Sequence, residues 1–221
     1  MDDYLSEKEQ WEWLKTQLKV SGPWIVAGVA AGALVLGGWR WWQGRADELA
    51  SQASVQARQI AEAFERRDRA RALQLIDALQ REQPKSPYLD QSNLIAARAF
   101  VEAGELDKAA ARLKSVMEST PDHALSLVAR ERLARVQIAQ NAPDAALATL
   151  AAVDPGSFAA RYHEVRADAF EVKKDFASAL KEYRAARDAD AAGTVDPESL
   201  DLKISDLVAD EHAPRAAAGA K

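Results

Sequence analysis

Cysteine is absent from the 221 residues, which excludes disulfides, thiolate nucleophiles and cysteine-ligated metals. Histidine is scarce: His123, His163 and His212 stand far apart, with no HExxH-like spacing. A basic excess is also missing. The formal net charge is −5, which argues against a general nucleic-acid surface. No convincing run of β-branched alternation occurs, so a sheet is not expected. Aromatic residues make up only 7%, and all six tryptophans fall at or before Trp42. Within that same region, no Asp, Glu, Lys or Arg lies between Lys19 and Arg40.

That charge-free stretch is the first thing present rather than absent. Twenty apolar residues in a helix cover roughly 30 Å, the thickness of a bilayer's hydrocarbon core. Trp24 stands near one end and Trp39, Trp41 and Trp42 at the other, where amphipathic rings favour the headgroup level. Residues 20–42 therefore read as a membrane anchor, after a tail over 1–19. A cleaved signal peptide is the rival reading. Against it stand an acidic leader (Asp2, Asp3, Glu7, Glu9, Glu12) and bulky Trp39-Arg40-Trp41-Trp42 where small residues would precede cleavage. Orientation is not decided by charge: Lys8, Lys15 and Lys19 on one side balance Arg40, Arg45 and Arg58 on the other.

Ser6 to Glu9 has the form of a capping box, and Trp11, Leu14 and Leu18 follow on one helical face. A short amphipathic helix ending before Gly22-Pro23 is expected, a solvated tail being the alternative. Within the anchor, Gly28 and Gly32 form a GxxxG pair and Gly37 continues the small face, a surface on which a second helix could pack closely in lipid.

From residue 45 onward the chain is rich in helix formers, and it repeats. Ala72, Ala109, Ala146 and Ala179 lie in similar segments at intervals of 37, 37 and 33 residues. Each segment follows a break: Arg67-Asp68, Gly104-Glu105, Asn141 to Asp144, and Lys174-Asp175. The unit is a helical hairpin. It resembles the tetratricopeptide repeat, in which a small residue of the first helix packs on an alanine of the second and a bulky residue one turn later fills the core. Ala97, Ala134 and Ala167 take the first role, with Ile60 departing from it. Ile76, Leu113, Leu150 and Tyr183 take the last. Pro84 and Pro121 would end second helices. A usual tryptophan of the first helix is replaced by Asn93, Arg130 and His163. Pro197 to Val208 reads as a final capping helix and 212–221 as a disordered tail. The fold expected is all-α: one N-terminal transmembrane helix, then a domain over 43–211 of about four TPR-like hairpins and a cap.

No nucleophile has an adjacent base and no ligand cluster or phosphate loop occurs, so neither an enzyme nor a cofactor site is expected. Stacked hairpins instead present a concave surface lined by first helices. Its expected lining is Phe64, Leu94, Arg98, Val101, Glu102, Val128, Glu131, Arg135 and Ile138, apolar with both charge signs; the alternative is plain surface.

The acidic tail, the Gly/Ala-rich anchor ending in Gly38-Trp39-Arg40-Trp41-Trp42, and degenerate hairpins carrying Arg132-Leu133-Ala134-Arg135-Val136-Gln137 together resemble the YfgM family of proteobacterial inner-membrane proteins, over nearly the full length. That resemblance implies a single-pass (type II) inner-membrane protein with a periplasmic C-terminal domain. It implies association with the Sec translocon and with a membrane-anchored periplasmic prolyl isomerase-like chaperone. The implied role is passing newly exported, unfolded polypeptides to periplasmic chaperones. Two other readings stay open: a cytoplasmic-facing, membrane-anchored TPR scaffold for another inner-membrane or envelope-assembly complex, and a coat or outer-membrane assembly factor, which usually carries a lipoprotein cysteine that is absent here.

Overall fold

The computed structural model describes residues 7–190 and 193–212, and every element in them is helical. α1 runs over Glu7–Glu65, α2 over Arg69–Glu82, α3 over Pro87–Glu102, α4 over Leu106–Ser119 and α5 over His123–Ala139. α6 is short, Pro143–Ala151. A 3-10 turn at Gly156–Phe158 leads into α7, Ala159–Val172, followed by α8, Phe176–Ala189, and α9, Pro197–His212. The chain divides into two compact units, Met1–Gln52 and Ala53–Lys221.

In the first unit, α1 passes through Gly22-Pro23 without the break expected there. An interior proline forfeits one helical hydrogen bond, and here the rest of the helix carries it. The sides taken by Leu14 and Leu18 lie outside the described residues. Among the described residues, no helix is long and apolar enough to cross a membrane, so the span expected over 20–42 is not met there. Ile25 and the side chains of 16–23, on which the expected span draws, lie outside the described residues. What is described is an exposed apolar stretch that includes Trp24, Val29, Leu34, Val35 and Leu36. At its end the rings of Trp39 and Trp42 lie 5.8 Å apart and Arg45 sits 5.9 Å from the Trp41 ring.

The second unit is built from hairpins in the expected register. Ala72, Ala109, Ala146 and Ala179 are all fully buried. Opposite them, Ile60, Ala97, Ala134 and Ala167 are buried, and so are Ile76, Leu113, Leu150 and Tyr183 one turn on. Burying each of the larger aliphatic side chains contributes on the order of 1.5–3 kcal/mol. The buried residues fall into three clusters in chain order. One joins α1 to α5, one joins α5, α6 and α7, and one joins α7, α8 and α9. Each hairpin thus buries its apolar side on its neighbours, as in a solenoid.

The turn inside each hairpin is the same device four times. Arg67, Gly104, Asn141 and Lys174 adopt φ of 61°, 73°, 60° and 61°. The following amide donates to the carbonyl five residues back: Asp68 to Ala63 at 2.8 Å, Glu105 to Phe100 at 2.8 Å, Ala142 to Gln137 at 2.9 Å, Asp175 to Phe170 at 2.9 Å. This left-handed closure satisfies the last carbonyls of the first helix. The Asp68 and Asp175 carboxylates then cap α2 and α8 by accepting from Arg71 N and Ser178 N.

α6 has lost a turn, and two arginines compensate. Arg130 Nη1 donates to Thr149 O at 3.0 Å and Arg166 Nη2 to Leu150 O at 3.2 Å, covering carbonyls at the helix end. Arg130 stands where the repeat usually has tryptophan, so its departure from the pattern has a structural purpose. α9 extends four residues beyond the expected end, to His212. His212, expected to begin a disordered tail, is thus helical, and the rest of the tail expected over 212–221 lies outside the described residues.

Candidate partner-binding groove

α3 and α5 are the first helices of successive hairpins, and between them opens a groove of about 630 Å³. α3 contributes Gln91, Leu94, Ile95, Arg98, Val101 and Glu102; α5 contributes Arg132, Arg135, Val136 and Ala139; Leu106 and Leu113 of α4 and Ala97 of α3 complete it. That volume lies in the range usual for ligand sites, roughly 300–1,000 Å³.

Of the nine lining residues expected, Leu94, Arg98, Val101, Glu102 and Arg135 come together here. Phe64 packs half-buried on the first core cluster, and Ile138 packs on the cluster joining α5 to α7. Val128 is half-buried outside the groove. Glu131 is only 6% exposed and is tied to Arg135. The pattern explains the split. On α3 the expected stripe faces the groove. On α5 the stripe facing it runs through 132, 135, 136 and 139, about one residue around the helix from 128, 131, 135 and 138. The latter side turns toward α7. The signal for Arg132, Val136 and Ala139 was present as an i, i+4, i+7 stripe, but the repeat alignment favoured its neighbour.

A charged network begins at the groove edge and runs away from it. Arg135 pairs with Glu131 on its own helix, with Glu164 on α7 at 3.0 Å and with Asp168 at 3.8 Å. Lys203 on α9 reaches Asp168 at 2.8 Å and Glu164 at 3.4 Å. Burial works against the Arg135 charge, but Glu131, Glu164 and Asp168 outweigh it and hold the guanidinium pKa above its ordinary value. Arg135 is therefore a brace between α5 and α7 as much as a groove residue. By contrast, Arg98 pairs with Glu102, at 2.8 Å, with both side chains largely exposed.

Elsewhere, His163 meets Glu182 at 2.7 Å between α7 and α8. No group of three or more metal-ligand side chains is found among the described residues. At Gly28, Gly32 and Gly37 an added Cβ would meet nothing within 4 Å, so these positions are open on the first unit.

The class is set by the hairpins, the buried alanine crossings and the groove between first helices: an α-solenoid of the tetratricopeptide kind. A family model described as a tetratricopeptide repeat-like domain matches residues 15–209. A protein of Escherichia coli named ancillary SecYEG translocon subunit is 31% identical, over 94% of this chain and 99% of the relative. Proteins of the same name from Neisseria gonorrhoeae and Haemophilus influenzae are 28% and 25% identical, over 94% and 92% of this chain and 100% and 98% of theirs. The chain belongs to the tetratricopeptide repeat-like family and, within it, to the YfgM family that its sequence resembles.

Proposed function

We propose that this protein is an ancillary subunit of the Sec translocon. Segment 20–42 holds it in the inner membrane and the repeat domain stands in the periplasm. There it passes newly exported chains to periplasmic chaperones, including a membrane-anchored prolyl isomerase-like one, and acts by binding rather than catalysis. The observation that carries this reading is the full-length likeness to a protein named for its place in the SecYEG translocon, 31% identical over 99% of that protein. The groove supports it physically, since a solenoid that leaves an apolar channel between first helices offers extended segments a surface. Membrane attachment rests on the absence of charge from Val20 to Trp39 and on the exposed apolar side chains there. Lipid would cover these favourably.

The test is co-purification. Tagged full-length protein is solubilised from its own membranes in mild detergent and probed for the translocon channel protein. Recovery of that protein is expected, and its absence under conditions that keep the channel intact overturns the reading. Topology is checked separately by adding protease to spheroplasts, where digestion of the repeat domain is expected. A domain that survives until the inner membrane is lysed would place it on the other side.

A further inference from the structure

The groove between α3 and α5 does not carry a balanced charge. Its lining includes Arg98, Arg132 and Arg135 against Glu102 alone, in a chain whose formal net charge is −5. Not all of that excess is available. Arg135 is held by Glu131, Glu164 and Asp168. Arg98 is shared with Glu102, though both side chains are largely exposed and such a pair opens at little cost. Arg132 is exposed and has no ion-pair partner among the described residues. It stands one turn from Val136, which together with Leu94 and Val101 forms the apolar wall.

We infer that the groove is selective for an apolar segment of another protein that carries a carboxylate, with its apolar side chains against Leu94, Val101 and Val136 and its carboxylate on Arg132. The inference rests on the groove being the contact surface. A guanidinium presents a planar fork that matches a carboxylate with two parallel hydrogen bonds. A segment with a basic residue at the same place would set like charge against Arg132, which is how charge at a rim rejects wrong partners. A neutral apolar segment would gain the wall and nothing from the rim. Phosphate could also pair with an arginine. The walls favour the peptide carboxylate, because they reward aliphatic side chains directly beside the charge.

The experiment uses the purified full-length protein in detergent and short fluorescent peptides of Leu, Val and Ser, identical except for Asp, Asn or Lys at the polar positions. Binding is read by anisotropy. The Asp peptide should bind about three- to tenfold tighter than the Lys peptide, the span of a partly exposed ion pair gained or opposed. Arg132→Glu should invert that order, and Arg184→Glu, on an exposed side of α8, should leave it unchanged. Val101→Asp should weaken all peptides, and it is a safe substitution because Val101 is 44% exposed. If the peptides bind equally and Val101→Asp abolishes binding, the groove is the contact surface and the charge selectivity is wrong. If Val101→Asp changes nothing, or no peptide binds, the groove itself is misassigned. A charge order that survives Arg132→Glu removes Arg132 from the site.

Discussion

The Tyr183 hydroxyl on α8 donates to the Asp168 carboxylate on α7 at 2.6 Å, from a ring that is fully buried at the centre of the last hairpin. The same hydroxyl lies 2.9 Å from Glu171, and Lys203 of α9 sits 5.1 Å over the ring and 2.8 Å from Asp168. Burial, and then the bond to Asp168, push the phenol pKa well up, so the hydroxyl keeps its proton. Removing that donor takes one hydrogen bond from Asp168, which keeps Lys203 and Arg135. Tyr183→Phe should cost about 1 kcal/mol and lower Tm by about 2–4 °C. Tyr183→Ala, which also empties a core position, should cost about 3–5 kcal/mol. Thermal unfolding followed by circular dichroism distinguishes them; a Tyr183→Phe variant that melts like the parent would mean that the hydroxyl contributes nothing.

The alanine crossings give a sharper test of the hairpin register. Ala146 is fully buried where α6 meets the preceding first helix, and Ala145 beside it is exposed. Ala146→Leu should destabilise by about 1–3 kcal/mol through overpacking. Ala145→Leu should fall within about ±0.5 kcal/mol, as surface changes do. Similar melting of the two variants would contradict the crossing.

How far the sequence reaches can be judged from these positions. The buried alanines and the bulky residues one turn later were legible because close helix crossings permit few side chains, and so leave a spacing of 37, 37 and 33 residues. The turn residues share that spacing and were legible as breaks, but their left-handed conformation was not. Gly104 alone among them is a glycine, while Arg67, Asn141 and Lys174 carry side chains that give little local warning. Arg130 read as a departure from the repeat because its reason, the end of a shortened α6, is a tertiary contact. The groove stripe on α3 was legible and that on α5 was displaced by one residue. Periodicity defines a face only to about 100°, the turn per residue, and packing against α7 decides the remainder.

Those turn residues yield a third prediction. Lys174 holds φ of 61° at the last hairpin turn, a conformation costing a non-glycine residue roughly 1–2 kcal/mol. Lys174→Gly relieves that cost and gives part of it back as chain entropy. A net gain of about 0.5–1 kcal/mol is expected, seen as a higher Tm. The converse change, Gly104→Ala at φ of 73°, should destabilise by about 1 kcal/mol. A destabilised Lys174→Gly variant would mean that the lysine contributes through contacts rather than merely tolerating the turn.

Acid should act on the connection between α8 and α9. The Asp190 carboxylate accepts from Thr194 N at 2.6 Å, from Thr194 Oγ1 at 2.8 Å and from Val195 N at 3.3 Å. Chiefly through the bond from the Thr194 amide, these hold its pKa below the usual carboxylate range. A carboxylate depressed in the folded state contributes stability above its unfolded pKa, about 3.9, and loses it as pH falls through the lower folded value. Wild-type protein should therefore lose stability on acidification below about pH 4. Asp190→Asn should be less stable at neutral pH and show a smaller further loss there. Melting curves from neutral to acid pH read the difference; parallel curves for both proteins would exclude Asp190 as a source of the slope.

Finally, the glycine positions and the groove make separable claims about how the protein is held to its partners. An added Cβ at Gly28 or Gly32 meets nothing within 4 Å and both positions are exposed, so each offers open space for a larger side chain. Leucine at both places also makes the segment more apolar, which should preserve membrane insertion. Close approach of a second helix over the small face would nevertheless be blocked. Co-purification with the translocon should then fall in mild detergent. The groove needs a different lesion. Arg135→Glu is a poor choice, because it would set two like charges together beside nearly buried Glu131 and disturb the brace to α7. Val101→Asp is better, since its side chain is 44% exposed. That variant should keep the translocon and lose peptide capture. If the glycine variant co-purifies normally while Val101→Asp releases the translocon, association runs through the repeat domain and the GxxxG pair is incidental. If both variants keep every partner, contact lies on neither surface, and the exposed tryptophans at 39, 41 and 42 become the next place to substitute.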